Sequence, residues 1–223
     1  MNICIPVYDE VDLLDVTGPY EMFTWGGLTV ELVAAGPGPI RSRNSFYFFV
    51  DKSFSEASPC DVLWVPGGAP DTLAAQMSDP SRTYLDFLIR QSAQSKWTAS
   101  VCEGALLLAA AGLLDGYEAT THWAFAACMD RFPKVKLAPG HPRFVIDRDR
   151  ITGGGISSGL DEALKVIELL QGTQAAQNAQ LNTQYYPCPP VSSTIPDTPP
   201  ACPVPNVTIP PPSARRARTE RGG

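Results

Sequence analysis

The sequence predicts an α/β protein with a mostly parallel sheet and helices on both faces. Strand-like runs alternate with segments of helical spacing along the chain. The opening run Asn2–Tyr8 is short and apolar, as a strand buried on both faces is. Several strand-like runs also end at glycine or proline turns, the way βα connections do. In such sheets ligands bind outside the carboxyl ends of the strands.

After the first strand and a polar turn, Thr17-Gly18-Pro19 reads as a helix start, with Thr17 as N-cap and Glu21 near the positive helix end, before Tyr20–Trp25. Leu28–Ala35 and Phe46–Val50 are the second and third strands. Asp61–Val65 is a strand running into Pro66-Gly67-Gly68. Ser81–Ser95 places Tyr84, Leu85, Leu88 and Ile89 at helical spacing. Trp97–Val101 is a strand ending at Cys102, and Glu103–Leu114 is an apolar helix stopped by Asp115-Gly116. A helix around Ala124–Met129, a strand at Phe144–Asp147, a turn at Thr152-Gly153-Gly154-Gly155, a helix at Leu160–Leu170 and another at Gln174–Asn182 complete the pattern. The strand ends near Asp15, at Pro66-Gly67-Gly68 and at Cys102 are expected to converge.

The chain has 223 residues, enough for one domain with a sizeable core. The domain is placed at residues 1–186. Residues 187–223 form a proline-rich arm and tail, since eleven of the 22 prolines lie between Pro187 and Pro212. The end of this tail is expected to be disordered, and its first part to wrap a partner subunit. A net charge of −6 argues against a nucleic-acid partner. The single basic cluster, Arg215-Arg216-Ala217-Arg218 near Glu220, reads as a solvated tail. No apolar run reaches a membrane span, and no secretory signal opens the chain, so a cytoplasmic location is expected. Hence all six cysteines are expected as reduced thiols, with Cys4, Cys60 and Cys128 small buried residues and Cys188 and Cys202 incidental.

The chemistry centres on Ser100-Val101-Cys102-Glu103-Gly104-Ala105. A buried strand feeds one residue and then a buried helix, with small residues on either side, as in a nucleophile elbow. The cysteine is expected to be exposed at the apex, with its thiol pKa lowered by the helix N-terminus. Asp9, Glu10, Asp12, Asp15 and Glu21 are candidate acids. Asp15 is preferred because Val16-Thr17-Gly18-Pro19 follows it at the sheet edge.

Together Leu14-Asp15-Val16-Thr17-Gly18-Pro19-Tyr20-Glu21, Asp61–Gly68, Ser100-Val101-Cys102, Ala109–Leu114, Ala119-Thr120-Thr121-His122-Trp123-Ala124, Thr152–Ile156 with Leu160-Asp161, and Tyr185-Tyr186-Pro187 with Pro196-Asp197-Thr198 resemble the ThiJ/PfpI superfamily, most of all its isonitrile hydratase branch. The resemblance covers roughly residues 1–200. It implies a flavodoxin-like three-layer sandwich, a homodimer, a small-molecule substrate, and no metal or organic cofactor. It also implies that Cys102 is the nucleophile and Asp15 the acid beside it. Backbone N–H groups at Gly67, Gly68 and Glu103 are then expected to stabilise developing charge, with His122, Gly154 and Thr17 in support.

One departure stands out. The branch resembles S-V-C-T-G at the elbow, whereas position 103 here is glutamate. Glu103 either takes part in proton transfer, faces solvent in the first helical turn, or raises the thiol pKa by repulsion. His122 stays open between a triad member and a packed structural residue, while His141 reads as a surface loop residue. An apolar pocket is expected, with Trp25, Trp123 and Phe125 as candidate lining. The competing activities are a glyoxalase or deglycase reaction and a cysteine redox sensor. A regulator of the AraC type is disfavoured because no room for a helix-turn-helix remains after Asn182.

Overall fold

The computed structural model describes residues 1–212. Its elements in chain order are β1 (Asn2–Pro6), α1 (Leu13–Trp25), β2 (Thr29–Ala34), β3 (Gly38–Arg41), β4 (Tyr47–Val50), β5 (Lys52–Ser53), β6 (Val62–Val65), α2 (Pro70–Ser78), α3 (Thr83–Ser92), β7 (Trp97–Ser100) and α4 (Gly104–Ala110). There follow β8 (Glu118–Ala119), a 3-10 helix (Trp123–Arg131), β9 (Lys136–Leu137), β10 (Phe144–Asp147), β11 (Arg150–Gly153), α5 (Ser158–Gln171) and α6 (Thr173–Asn182). Seven strands form the main sheet in the order β10-β11-β7-β6-β1-β2-β5. All its pairs are parallel except β10 with β11. The expected fold class, a flavodoxin-like α/β sandwich, is the one observed.

The centre of the sheet is dry. Ile3, Ile5, Leu63 and Trp64 are fully buried, and Phe23 of α1 meets the Trp64 ring edge-on at 5.3 Å. Burial of such side chains contributes about 1.5–3 kcal/mol each. The amphipathic α3 puts Leu85, Phe87 and Leu88 against the core, where Phe87 stacks on Phe54 at 4.3 Å.

Several elements differ from expectation. Thr17 is not an N-cap: the N-cap of α1 is Asp12, five residues earlier, and the Thr17 hydroxyl donates back to the Leu13 carbonyl at 2.9 Å. Pro19 therefore lies inside the helix and cannot bond the Asp15 carbonyl. The indole Nε1–H of Trp64 donates to that carbonyl instead, at 3.1 Å. This compensation lets a proline-containing helix begin at the sheet edge. The Phe46–Val50 run pairs antiparallel with Gly38–Arg41 in a separate hairpin and not in the main sheet. The Thr152–Gly155 turn begins two residues too early: Thr152 and Gly153 belong to β11, which pairs with β7. The apolar α4 ends at Ala110, because Gly112 takes φ +76° and breaks it before Asp115-Gly116. The segment around Ala124–Met129 is 3-10 rather than α.

The arm beyond Tyr186 carries no helix or strand through Pro212. Its second half is anchored on the chain's own body. Val204 is buried, and Arg131 donates to the carbonyls of Val204 (2.6 Å) and Pro205 (3.0 Å). Arg82 donates to the Pro210 carbonyl. The expected disordered end and the basic cluster lie outside the described residues.

The cysteine expectation needs correction. Cys128 and Cys202 form a disulfide with Cα atoms 4.8 Å apart, so neither is a free thiol and Cys202 is not incidental. Residues 74 apart in sequence cannot be paired from spacing alone; the anchored arm brings them together. Cys4, Cys60, Cys102 and Cys188 are free. Among the described residues, no helix is long and apolar enough to cross a membrane.

Candidate functional site

Three connections meet beyond the carboxyl ends of β1, β6 and β7. Cys102 sits between β7 and α4 with φ +51°, a left-handed conformation that a non-glycine residue holds only when its surroundings enforce it. They do. Its N–H donates to the Gly154 carbonyl at 2.9 Å, and its carbonyl accepts from the Thr121 hydroxyl at 2.8 Å. Val101 N–H donates to the Val65 carbonyl at 3.1 Å, tying the elbow to β6. Gly104 is required here: a Cβ on it would lie 2.1 Å from the same Val65 oxygen.

The thiol is not exposed at an apex. Cys102 has 0% exposure, and the loop between β11 and α5 lies against it through Gly154 and Ile156. The Ile156 N–H donates to Sγ at 2.8 Å. The surroundings are nonetheless polar. Ligand atoms of Asp12, Asp15, Cys102 and Glu103 all lie within 4.8 Å of one another. Asp15 is fully buried, and its Oδ2 accepts from Gly67 N–H at 2.9 Å. One oxygen each of Asp12, Asp15 and Glu103 is buried with no hydrogen-bond partner.

The electrostatics follow from burial. Desolvation, and then the Asp12 charge, push Asp15 up from 3.8 to about 8, against the lowering contacts with Gly67 N–H and Cys102. Desolvation, with the charges of Asp12 and Asp15, also holds Glu103 well above the usual carboxylate range. Burial, then repulsion from Asp15 and Glu103, pushes the Cys102 thiol up, with the Ile156 N–H acting in the opposite sense. The expected lowered thiol pKa is therefore corrected. The Asp15 charge raises both Glu103 and Cys102, and the Glu103 charge raises Cys102 further, so these three groups lose their protons in coupled steps. The same four residues could chelate a cation, but Asp15 and Glu103 would first have to lose protons that burial retains.

The open question at position 103 has a geometric answer. Glu103 is 1% exposed and does not face solvent. Its Oε2 lies 2.2 Å from where a Cβ on Gly67 would be, so the glycine makes room for this carboxyl. Glu103→Gln is expected to speed iodoacetamide alkylation of Cys102 several-fold at alkaline pH, by removing a like charge. Peptide mass spectrometry across a pH series checks this, and an unchanged profile would mean that Glu103 is electrostatically silent.

Other candidates fare differently. Gly67 is in the site, but its N–H already serves Asp15, so it is not a free donor for substrate. Gly68 packs against Tyr8 and pairs with Val11. Gly154 contributes its carbonyl to the elbow. Thr17 is exposed on α1 and bonded within its helix. His122 Nδ1 accepts from Ala124 N–H at 3.1 Å and caps the 3-10 helix, while its ring packs against Gly155. Its pKa is lowered, first by burial.

A cavity of about 350 Å³ opens beside the elbow, lined by Leu14, His122, Trp123, Gly155, Ile156 and Ile195 among others. Of the three expected aromatics only Trp123 lines it; Trp25 is exposed and Phe125 is core. Sequence reasoning missed two residues, Ile156 and Glu162, and preferred Asp15 alone where Asp12 also takes part. Asp12 joins the cluster, and the Ile156 amide faces the sulfur. Glu162 on α5 is fully buried with both carboxyl oxygens unpartnered, and burial together with the Asp15 charge raises its pKa. Glu162 was detectable: it lies in phase with Ala163, Val166 and Ile167 on the apolar face of α5.

A parallel-sheet sandwich with a buried cysteine on a strained strand-to-helix turn, faced by carboxyls from the opening βα connection, defines the class of protein. The chain belongs to the DJ-1/PfpI family, whose model matches residues 1–169. It is 38% identical over 202 residues to the isonitrile hydratase of Pseudomonas putida, covering 90% of this chain and 86% of that protein. A 118-residue stretch is 39% identical to the HTH-type transcriptional regulator GbdR of Pseudomonas aeruginosa, but spans 52% of this chain and only 30% of the regulator. Among solved structures, a THiJ/PfpI family protein from Pseudomonas syringae superposes with a TM-score of 0.78 at 36% identity, covering 85% of this chain and 77% of that one.

Proposed function

We propose that the protein hydrates isonitriles to N-substituted formamides, as a cofactor-independent lyase with Cys102 as nucleophile. The observation that carries this reading is the buried pairing of Cys102 Sγ with the Asp15 carboxyl, within 4.8 Å. The likeness to an isonitrile hydratase over nine-tenths of the chain supports it.

An isonitrile presents an electrophilic terminal carbon that also needs a proton. Asp15, with a pKa near 8, holds its proton at neutral pH and delivers it to that carbon as the Cys102 thiolate bonds there, leaving the Asp15 carboxylate. The product is an S-linked thioimidate, Cys–S–CH=N–R. Water adds across the C=N bond, with Asp15 as base. The tetrahedral adduct expels the sulfur and releases HC(=O)–NH–R. The Ile156 N–H, already 2.8 Å from Sγ, stabilises the thiolate at both ends of the cycle. Neutral Glu103 supplies a second proton source in the place of the branch's threonine. The apolar cavity takes the hydrocarbon group.

The reading includes a homodimer and no nucleic-acid partner. Exposed Phe46, Tyr47 and Phe49 on and beside the β3–β4 hairpin form an apolar surface of the kind a second subunit covers. It also includes a cytoplasmic location, where the Cys128–Cys202 bridge would be redox-responsive rather than permanent.

The experiment is to mix protein with cyclohexyl isocyanide and follow loss of its infrared stretch and formation of N-cyclohexylformamide. Turnover by the wild type and none by Cys102→Ala is the expected result. No turnover by the wild type, or undiminished turnover by the variant, rejects the reading.

A further inference from the structure

The proline-rich arm does more than end the chain. It is tied to the body at two points. At the near end, the Tyr185 hydroxyl donates to Asp161 Oδ1 at 3.0 Å, and Asp161 is ion-paired with Arg143. At the far end, Cys202 is bonded to Cys128 of the 3-10 helix, and Arg131 holds the carbonyls of Val204 and Pro205. Between these anchors, residues 187–201 make no hydrogen bond to the described body and are exposed apart from Pro199. Yet Ile195, near the middle of this strap, lines the cavity beside the cysteine elbow. It shares that lining with Leu14 and Ile156, two other apolar side chains that are each 40% exposed, and is itself 46% exposed. An isoleucine on a polar, solvent-exposed strap has no packing reason to point inward unless an apolar group is to be held there.

We propose that Ile195 is a specificity-determining residue: the strap, held in place by the Cys128–Cys202 disulfide, forms the outer apolar wall against which the substrate's hydrocarbon group rests. The assignment rests on the isonitrile reading for the identity of the substrate, but not for the existence of the wall. Gly154 and Ile156, whose backbone groups bond Cys102, also line the cavity, so a substrate that approaches the sulfur from this side has Ile195 beside its remote end. The chemistry involves only the near end. The strap therefore affects binding and not the bond-making steps.

The test compares wild type, Ile195→Ala and the Cys128→Ser/Cys202→Ser double variant. With cyclohexyl isocyanide, both variants should raise KM about fivefold with kcat little changed, while KM for methyl isocyanide stays as in the wild type. A second readout needs no turnover: the rates at which iodoacetamide and N-cyclohexyliodoacetamide alkylate Cys102, read from the mass of its peptide. The wild-type preference for the cyclohexyl reagent should fall about fivefold in both variants. Equal effects on large and small probes, or no change in either variant, overturn the proposal. If the wild type fails to turn over isonitriles at all, the hydratase reading fails and alkylation selectivity alone decides whether the wall exists.

Discussion

Asp15→Asn is expected to slow isonitrile hydration by roughly 10²–10⁴-fold, the usual worth of a positioned general acid–base, while making Cys102 more reactive toward alkylation. The two effects run in opposite directions for one reason. The Asp15 charge is among the causes that hold the thiol pKa up. An amide of the same shape removes that charge, so above pH 8 the thiolate forms more readily and iodoacetamide reacts faster. The amide also cannot give its proton to the isonitrile carbon or act as base toward water, so turnover falls. A residue that merely propped up the elbow would lower both rates together. Initial rates of formamide production beside alkylation rates of the same preparations check this, and parallel losses would remove Asp15 from the chemistry.

The same substitution has a stability signature. Asp15 is raised from 3.8 to about 8 in the folded protein. Between these values the native state keeps a proton that the unfolded chain has lost, so stability falls as pH rises. The contribution is fully present below about pH 4 and is gone above about pH 8. At roughly 1.4 kcal/mol per pKa unit it amounts to several kcal/mol. Glu103 and Glu162, also raised by burial, act in the same sense. Urea denaturation of wild type and Asp15→Asn from pH 4.5 to 8.5 isolates the Asp15 share. The stability of the wild type relative to the variant should decline across that range, and a flat difference would mean that Asp15 is ionised in its buried site.

Gly104→Ala is expected to destabilise the protein by about 3 kcal/mol, toward the upper end for inserting one methyl into a packed interior. The new Cβ would stand 2.1 Å from the Val65 carbonyl oxygen and 2.9 Å from its carbon. Backbone atoms cannot step aside as a flexible side chain can. Either α4 lifts off the end of β6 or the elbow distorts, and both move Cys102. Chemical denaturation measures the loss. Glu103→Gln, one position earlier, should leave stability far less affected, since its side chain keeps its shape. A Gly104→Ala protein of wild-type stability would show that the elbow has room that the geometry denies.

Much of this site was legible in the residues. The buried β1, β6 and β7 runs, the small residues around Cys102 and the preferred Asp15 all stand where local pattern put them, because each depends on short-range rules: apolar runs, turn chemistry, close packing at an elbow. Errors arose where the deciding partner is distant in sequence. Thr17 looked like a helix cap because Pro19 follows, yet the helix runs through that proline because Trp64, 49 residues beyond Asp15, bonds the orphaned carbonyl. The Gly153-Gly154-Gly155 run hid a strand whose partner is β7.

By itself, the sequence determined the layered α/β architecture and the strand-to-helix turn that carries the thiol, since both follow from periodicity and glycine placement that any local segment displays. Only the tertiary structure decided that the sulfur is buried, that Asp12 and Glu103 join Asp15 around it, that Cys202 returns to Cys128, and that Ile195 reaches the cavity. Burial and charge coupling are sums over neighbours from every part of the chain. A pKa, a disulfide partner or a pocket wall has no value until those neighbours are in place.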